Sequence, residues 1–369
     1  MRIAILGTHG IPARYGGFET CVEEVAVRLV ERGHQVTVYS KTEGDGAKRS
    51  IYKGVEVVRF PKFRRQALDY GFQGVITTAH ASTSNADVLH FFGCDHVPFA
   101  LLGRLAGKGV VLTVDGLEWN RKGYPLSYRL YLRSFAELAM VLPDVTVADS
   151  KSSQKWYYER TGKNPTYIPY GTTISNGVDL RILEEFGLEV GKYVLFVGRL
   201  VYEKGAHTLI EAFKSVKTDL KLVIIGDVLS PGDYVRKLRE AADERTIFLG
   251  YVHGAAFETI RNAALVYVHP SLFDGTSISL LGALGAGKSI VSSDLQENID
   301  VAQDAVVYFQ KENASDLSHK LQELLDNPKR IEELGQEAVV RARDLFDWER
   351  ITDAYEGVYR SVHRIVKKS

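Results

Sequence analysis

The feature that most constrains this chain is an alternation that runs through it twice. Short runs of β-branched and aromatic residues alternate with stretches whose apolar residues recur every three or four positions. That is how a parallel sheet covered by helices on both faces is written in sequence. In the first half the runs are residues 2–7, 35–39, 55–60, 87–92, 110–114 and 145–148. Between the first two, Val22, Val25, Ala26, Leu29 and Val30 lie on one face of a helix expected over 17–32, with Gly33 in the usual capping place. The pattern restarts with 193–197, 220–225, 247–249, 265–269, 290–292 and 306–309. Helices are expected over 313–325 and 329–344, and a last one runs to about residue 365.

The reading is therefore α/β, two doubly wound halves. Length agrees, because 369 residues exceed the roughly 250–300 at which a single core stops growing. The turn-rich segment 167–177 reads as a linker, with the boundary near 172–190. This assigns 1–175 to one domain and 176–348 to the other.

No apolar run reaches the roughly 18–20 residues that span a bilayer, and the opening MRIAILG is not a signal peptide. Cys21 and Cys94 give no disulfide framework, and neither has a Cys or His at metal-ligand spacing. The expected compartment is the cytoplasm.

The zero net charge hides an asymmetry. Residues 1–175 hold 22 Lys+Arg against 16 Asp+Glu, and the remainder holds 24 against 30. The basic excess gathers in Arg59, Lys62, Arg64 and Arg65 and in Arg121, Lys122, Arg129 and Arg133. One reading is solvated faces. The other is a surface for an anionic partner, phospholipid headgroups at the inner face of the membrane or a pyrophosphate-linked substrate. Nucleic acid is not expected, since no recognised binding module accompanies the charge.

Residues 270–294, PSLFDGTSISLLGALGAGKSIVSSD, carry two competing chemical signatures. One is a literal Walker A string, Gly282-x4-Gly287-Lys288-Ser289. A phosphate-binding loop needs the order strand, loop, helix, so that glycine N–H groups and a helix N-terminus wrap the phosphates. Here residues 277–285 have helical composition before the string, and 289–293 read as a strand after it. No strand ending in Asp follows to hold a metal. The match is a chance string. A dehydrogenase is also disfavoured: Gly7-Thr-His-Gly10 is not G-x-G-x-x-G, and the second strand ends Tyr39-Ser40-Lys41 without a ribose-binding acid.

The other signature is a strand, an acidic loop and a small-residue helix. Together with Gly7-Thr-His-Gly-Ile-Pro-Ala-Arg-Tyr-Gly-Gly-Phe-Glu19, Asp115-Gly-Leu-Glu-Trp119, Val197-Gly-Arg-Leu200, Glu203-Lys-Gly205 and Phe346-Asp-Trp348, it resembles the family-4 glycosyltransferases of the GT-B fold. The first two segments resemble the bacterial subgroup that transfers rhamnose from dTDP-rhamnose during cell-surface polysaccharide assembly. The resemblance implies two Rossmann-like domains facing across a crevice, with the helix 349–369 crossing back onto the first. It implies retaining transfer from a nucleotide sugar to a saccharide or lipid-linked saccharide acceptor, with no cofactor and no bound metal.

Each segment also has a physical case. Gly16 and Gly17 precede a helix, where backbone can approach a diphosphate and the helix N-terminus faces it; a βα turn needing positive φ is the structural alternative. Arg199 and Lys204 follow a strand C-terminus, where ligands bind doubly wound sheets. The resemblance gives them the diphosphate, whose charge grows as the sugar departs. Ordinary surface charge is the alternative. Asp115 stands where many relatives have a histidine that contacts the donor sugar. Asp115 and Glu118 are candidates to orient or deprotonate the acceptor, unless Asp115 only caps a turn and Trp119 packs in the core.

The donor element resembles a pattern of two acids separated by seven residues. Asp274 fills the first position, where the carboxylate hydrogen-bonds sugar hydroxyls. Thr276, Ser277 and Ser279 surround the following helix start, where N–H groups can hold the distal phosphate. The second position, whose acid accepts hydrogen bonds from the nucleotide ribose, is Gly282. Three explanations stand: another residue holds the ribose, the binding mode is altered, or the protein is a weak or inactive transferase retained for nucleotide or glycan binding. An active enzyme is the expectation, because Arg199, Lys204, Asp274 and the Gly16-Gly17 loop remain.

Overall fold

The computed structural model describes residues 1–13, 16–42, 48–61, 66–120, 125–228 and 232–366. Lys62, Arg64, Arg65, Arg121 and Lys122 lie outside them, as does the side chain of Glu118. The chain forms two compact units, Met1–Gly171 with Trp348–Ser369, and Thr172–Asp347.

The first unit is built on an eight-stranded sheet. Its strands are β1 (Arg2–Leu6), β2 (Gln35–Thr42), β3 (Lys48–Tyr52), β4 (Val55–Pro61), β5 (Val88–Phe92), β6 (Gly109–Val114), β7 (Val145–Ala148) and β8 (Thr166–Tyr167). They lie in the order β3-β4-β2-β1-β5-β6-β7-β8. All neighbours are parallel except β3, which turns back antiparallel on β4. Strands β5 and β6 are buried at every position, so both faces are covered and the residues read as unbroken apolar runs.

The sequence pattern misses two of these strands. Four of the five residues of β3 are exposed at the sheet edge, so no apolar alternation marks it. Strand β8 has only two residues, and it places Tyr167 in the first sheet instead of at the start of a linker.

The second unit carries six parallel strands, β9 (Tyr193–Val197), β10 (Lys221–Ile225), β11 (Thr246–Gly250), β12 (Val266–His269), β13 (Ser289–Ser293) and β14 (Val307–Phe309). Their order is β11-β10-β9-β12-β13-β14. Each sheet thus reverses its winding once, between β1 and β5 in the first and between β9 and β12 in the second. Crevices at the carboxyl ends of strands beside such switch points are where doubly wound sheets bind ligands.

The last helix, Trp348–Val366, packs on the first unit and buries Ile351, Tyr355, Tyr359 and Val362. Its Tyr359 hydroxyl lies 2.7 Å from Nδ1 of His90, whose Nε2 lies 2.7 Å from the Thr113 hydroxyl. Burial pushes the His90 imidazole down to about 3, so it is held neutral. Val362 lies against Gly109, where a Cβ would come within 2.4 Å of its methyl carbon. At the rim, Arg32 reaches Glu349, Asp353 and Glu356.

Candidate functional site

The second unit's switch point collects the charged residues. The loop after β9 carries Arg199 and Lys204, and the loop after β12 carries Asp274, Thr276 and Ser277. These loops are joined by backbone: the Leu272 N–H donates to the Glu203 carbonyl at 2.8 Å. Gly205 makes the close approach possible. Its φ is +69°, and a Cβ there would lie 1.9 Å from the Pro270 carbonyl oxygen, so only glycine fits.

Lys204 Nζ donates to Asp274 Oδ2 at 2.7 Å, and His269 Nε2 lies 3.3 Å from the same oxygen. Burial alone would raise the Asp274 carboxyl, but the Lys204 ammonium and then His269 hold it well below the usual carboxylate range. His269 was not singled out from sequence, although it ends a strand at the switch point. Burial pushes its imidazole below the ordinary value, with Asp274 opposing. Arg199 is exposed and has no acidic partner among the described residues. The site is therefore a carboxylate already ionised, a lysine shared with it, and an exposed guanidinium on the same loop.

Beyond Asp274, Thr276 and Ser277 are buried at the start of the helix Ile278–Gly285. The Ser277 hydroxyl lies 3.1 Å from that of Ser279 and does not cap the helix, so it leaves the backbone N–H groups at that end to another acceptor. The Walker string resolves as the sequence implies: Gly282 is inside this helix, and Ser289 opens β13. Lys288 donates to the carbonyls of Asn262 and Ala264, at 2.6 and 3.2 Å, at the C-terminus of the helix Gly254–Ala263. It caps a helix end, where a cation is favoured.

In the first unit, Gly16 (φ +106°) precedes the helix Gly17–Glu31. A Cβ on Gly16 would lie 2.3 Å from Glu19 Oε2, and one on Gly17 would lie 3.0 Å from the Tyr170 ring. Glu19 accepts the His9 N–H at 2.9 Å, so a carboxylate already stands beside this helix N-terminus. At the switch point itself stand buried Asp95 and His96, which no sequence motif marks and whose side chains meet at 3.0 Å after β5.

Asp115 follows β6, and its Oδ1 accepts the Gly116 N–H at 2.7 Å. Asp149 follows β7 and is wholly buried. Burial, and then the charge of the hydrogen-bonded Asp115, push the Asp149 carboxyl well above its ordinary range. Glu118 begins the short turn Glu118–Asn120, and Trp119 is buried in the core.

The basic cluster is less free than its charge suggests. Arg59 donates to Ser50, Arg129 donates to the Trp119 carbonyl at 2.6 Å, and Arg133 stacks 4.5 Å over the Trp156 ring. Arg129, Arg133, Trp119 and Trp156 line a cavity of about 400 Å³ with Leu126 and Leu130.

Comparison with known proteins divides the chain at residue 181, ten residues beyond the end of the first unit's N-terminal segment at Gly171. The model described as Glycosyltransferase Family 4 matches residues 15–181, and that of Glycosyl transferases group 1 matches residues 182–341. The chain belongs to the family-4 GT-B glycosyltransferases. Spore coat protein SA of Bacillus subtilis is 24% identical to this glycosyltransferase over 97% of the chain and 99% of its own length. Alpha-maltose-1-phosphate synthase of Mycobacterium tuberculosis is 26% identical, over 53% of the chain and 54% of its own length. Among solved structures, sucrose-phosphate synthase from Thermosynechococcus elongatus superposes with a TM-score of 0.83 at 18% identity, covering 99% of both chains. HepE of Anabaena, solved with UDP, gives a TM-score of 0.79 at 18% identity over 98% of this chain and all of that one. At such identities the superpositions establish the fold. No helix among the described residues is long and apolar enough to cross a membrane.

Proposed function

We propose that this glycosyltransferase moves rhamnose from dTDP-rhamnose, with retention, onto a saccharide or lipid-linked saccharide acceptor in cell-surface polysaccharide assembly. The setting is the cytoplasm, at the inner face of the membrane. The observation that carries a nucleotide-sugar donor is the Lys204–Asp274 pair at the switch point, with exposed Arg199 on the same loop as Lys204. A diphosphate arriving there competes for Lys204, and Arg199 adds a second cation. The released Asp274 carboxylate, already ionised, is then available to sugar hydroxyls.

The distal phosphate sits at the uncapped start of the helix Ile278–Gly285, and the nucleoside sugar lies along its Gly282 face. As the sugar leaves, charge grows on the diphosphate, and the two fixed cations stabilise it without a bound metal. HepE, solved in complex with UDP and with UDP-glucose, supports a nucleoside diphosphate donor. On the acceptor side, Asp115 and Glu118 orient or deprotonate the incoming hydroxyl; Leu117 and Trp119, near them in sequence, line the cavity of tryptophans and arginines.

Nucleoside diphosphates should raise the melting temperature, because a ligand that binds only the folded state stabilises it. Indifference to dTDP, UDP and their sugars alike would contradict the donor site. Arg199→Ala with Lys204→Ala should lower transfer by roughly 10²-fold or more with the fold unchanged. Unaltered turnover in that variant would remove both residues from the mechanism.

A further inference from the structure

Beside Gly282 the structure holds a cation. A Cβ built on Gly282 would lie 3.0 Å from Nη1 of Arg261 and 3.8 Å from its Cδ and Cζ. The guanidinium thus fills the space into which a side chain at 282 would grow. Arg261 comes from the helix Gly254–Ala263, is only 7% exposed, and is ion-paired through Nη2 with Glu258. Its Nε is buried and has no hydrogen-bond partner among the described residues.

Ser279 stands one turn before Gly282 on the same helix face. It shares a hydrogen bond with Ser277, and Tyr267, within reach of both Ser279 and Arg261, backs this stretch. The helix Ile278–Gly285 therefore runs from the proposed phosphate-binding turn to the Arg261–Glu258 pair, with Gly282 buried under the guanidinium.

A free carboxylate selects a ribose by accepting hydrogen bonds from its hydroxyls, and it is left unsatisfied when one is missing. A guanidinium has donors and no acceptor. Here Nη2 is closed on Glu258, and Nη1, the atom toward position 282, can only donate, so this wall offers the hydrogen of a ribose hydroxyl no acceptor to lose. We infer that Arg261, seated over Gly282 and tied to Glu258, makes this transferase indifferent to the 2′-hydroxyl of its donor nucleotide, so that 2′-deoxynucleoside diphosphates bind as well as ribonucleoside diphosphates. The inference rests on the proposed donor site, and it gives a physical reason for a thymidine diphosphate donor, whose sugar is a deoxyribose.

The test is calorimetric titration of the full chain with pairs that differ only in the 2′-hydroxyl: UDP against dUDP, and 5-methyluridine diphosphate against dTDP. Within each pair the Kd values should agree to about threefold. Gly282→Glu pushes the flexible end of Arg261 aside and installs the missing acceptor. It should create a ribonucleotide preference of roughly tenfold or more, the worth of one charged hydrogen bond. A tenfold ribonucleotide preference in the unaltered protein overturns the inference. If Glu258→Gln abolishes that preference, the overturning result also shows that the acid has moved to the neighbouring helix. Should Gly282→Glu fail to fold, the unaltered protein still decides. If none of the four nucleotides binds, the donor-site reading itself falls, which a preference between them would leave standing.

Discussion

Asp115 and Asp149 stand side by side because Val114 and Ala148, the residues before them, are register partners on β6 and β7. Two carboxylates at neighbouring strand ends cannot both ionise cheaply, and the wholly buried one keeps its proton. The sign of the consequence follows. An acid whose folded pKa is raised contributes stability below its unfolded value, near 3.8, and loses it as pH rises toward the folded value. Asp149→Asn keeps a neutral hydrogen-bond donor and removes the titration. It should therefore stabilise the protein increasingly as pH rises above 4, by up to about 1.4 kcal/mol per pH unit until the folded pKa is reached. Melting curves of both proteins between pH 4 and 8 measure this, and a pH-independent difference would refute the raised Asp149 carboxyl. Asp115 was legible as a strand-end acid. Asp149 holds the same place after the next strand, but nothing local in Ala148-Asp149-Ser150 distinguishes a protonated aspartate from a turn. The same limit applies to Arg261, whose meaning depends on a contact 21 positions along the chain.

At the scale of elements, the donor region consists of two loops fastened to each other. Strand, loop and helix order within residues 270–294 was readable from composition, and it correctly dismissed the Walker string. The fastening was not readable, because the Leu272–Glu203 hydrogen bond and the packing of Gly205 under Pro270 join segments about 70 residues apart. Gly205→Ala tests this joint. With φ at +69° and the Pro270 carbonyl in the way, the substitution costs at least 1–3 kcal/mol by the usual scale of backbone strain. It should also separate Lys204 from Asp274. The expected result is a lower melting temperature together with weakened nucleotide binding. An equally stable variant with unchanged affinity would show that the two loops act independently. The missed elements have the opposite cause: β3 is exposed and β8 is two residues long, so neither buries enough to leave a pattern.

For the molecule as a whole, the chain leaves the first unit at Gly171, completes the second, and returns at Trp348. The two units differ in what they need to fold. The second is continuous in sequence, and its core runs from Val194 to Leu334 without help from either terminus. The first depends on the last helix. Without it, His90 loses the Tyr359 hydroxyl, and the faces of β6 and of the helix Gly17–Glu31 lose their cover. A buried polar group left without its partner costs about 1–3 kcal/mol, and each large side chain withdrawn from a core costs about 2–5 kcal/mol. Ile351, Tyr355, Tyr359 and Val362 together amount to about 8–20 kcal/mol, as large as the 5–15 kcal/mol that holds a typical domain. A chain ending at Asp347 should therefore keep a folded second unit and lose the first. Hydrogen exchange should show protection confined to residues 172–347, with nucleotide-dependent stabilisation retained there. Protection of β5 and β6 in the truncated chain would show that the first sheet stands without its last helix. Loss of nucleotide stabilisation with the second unit still protected would place part of the donor site on the first.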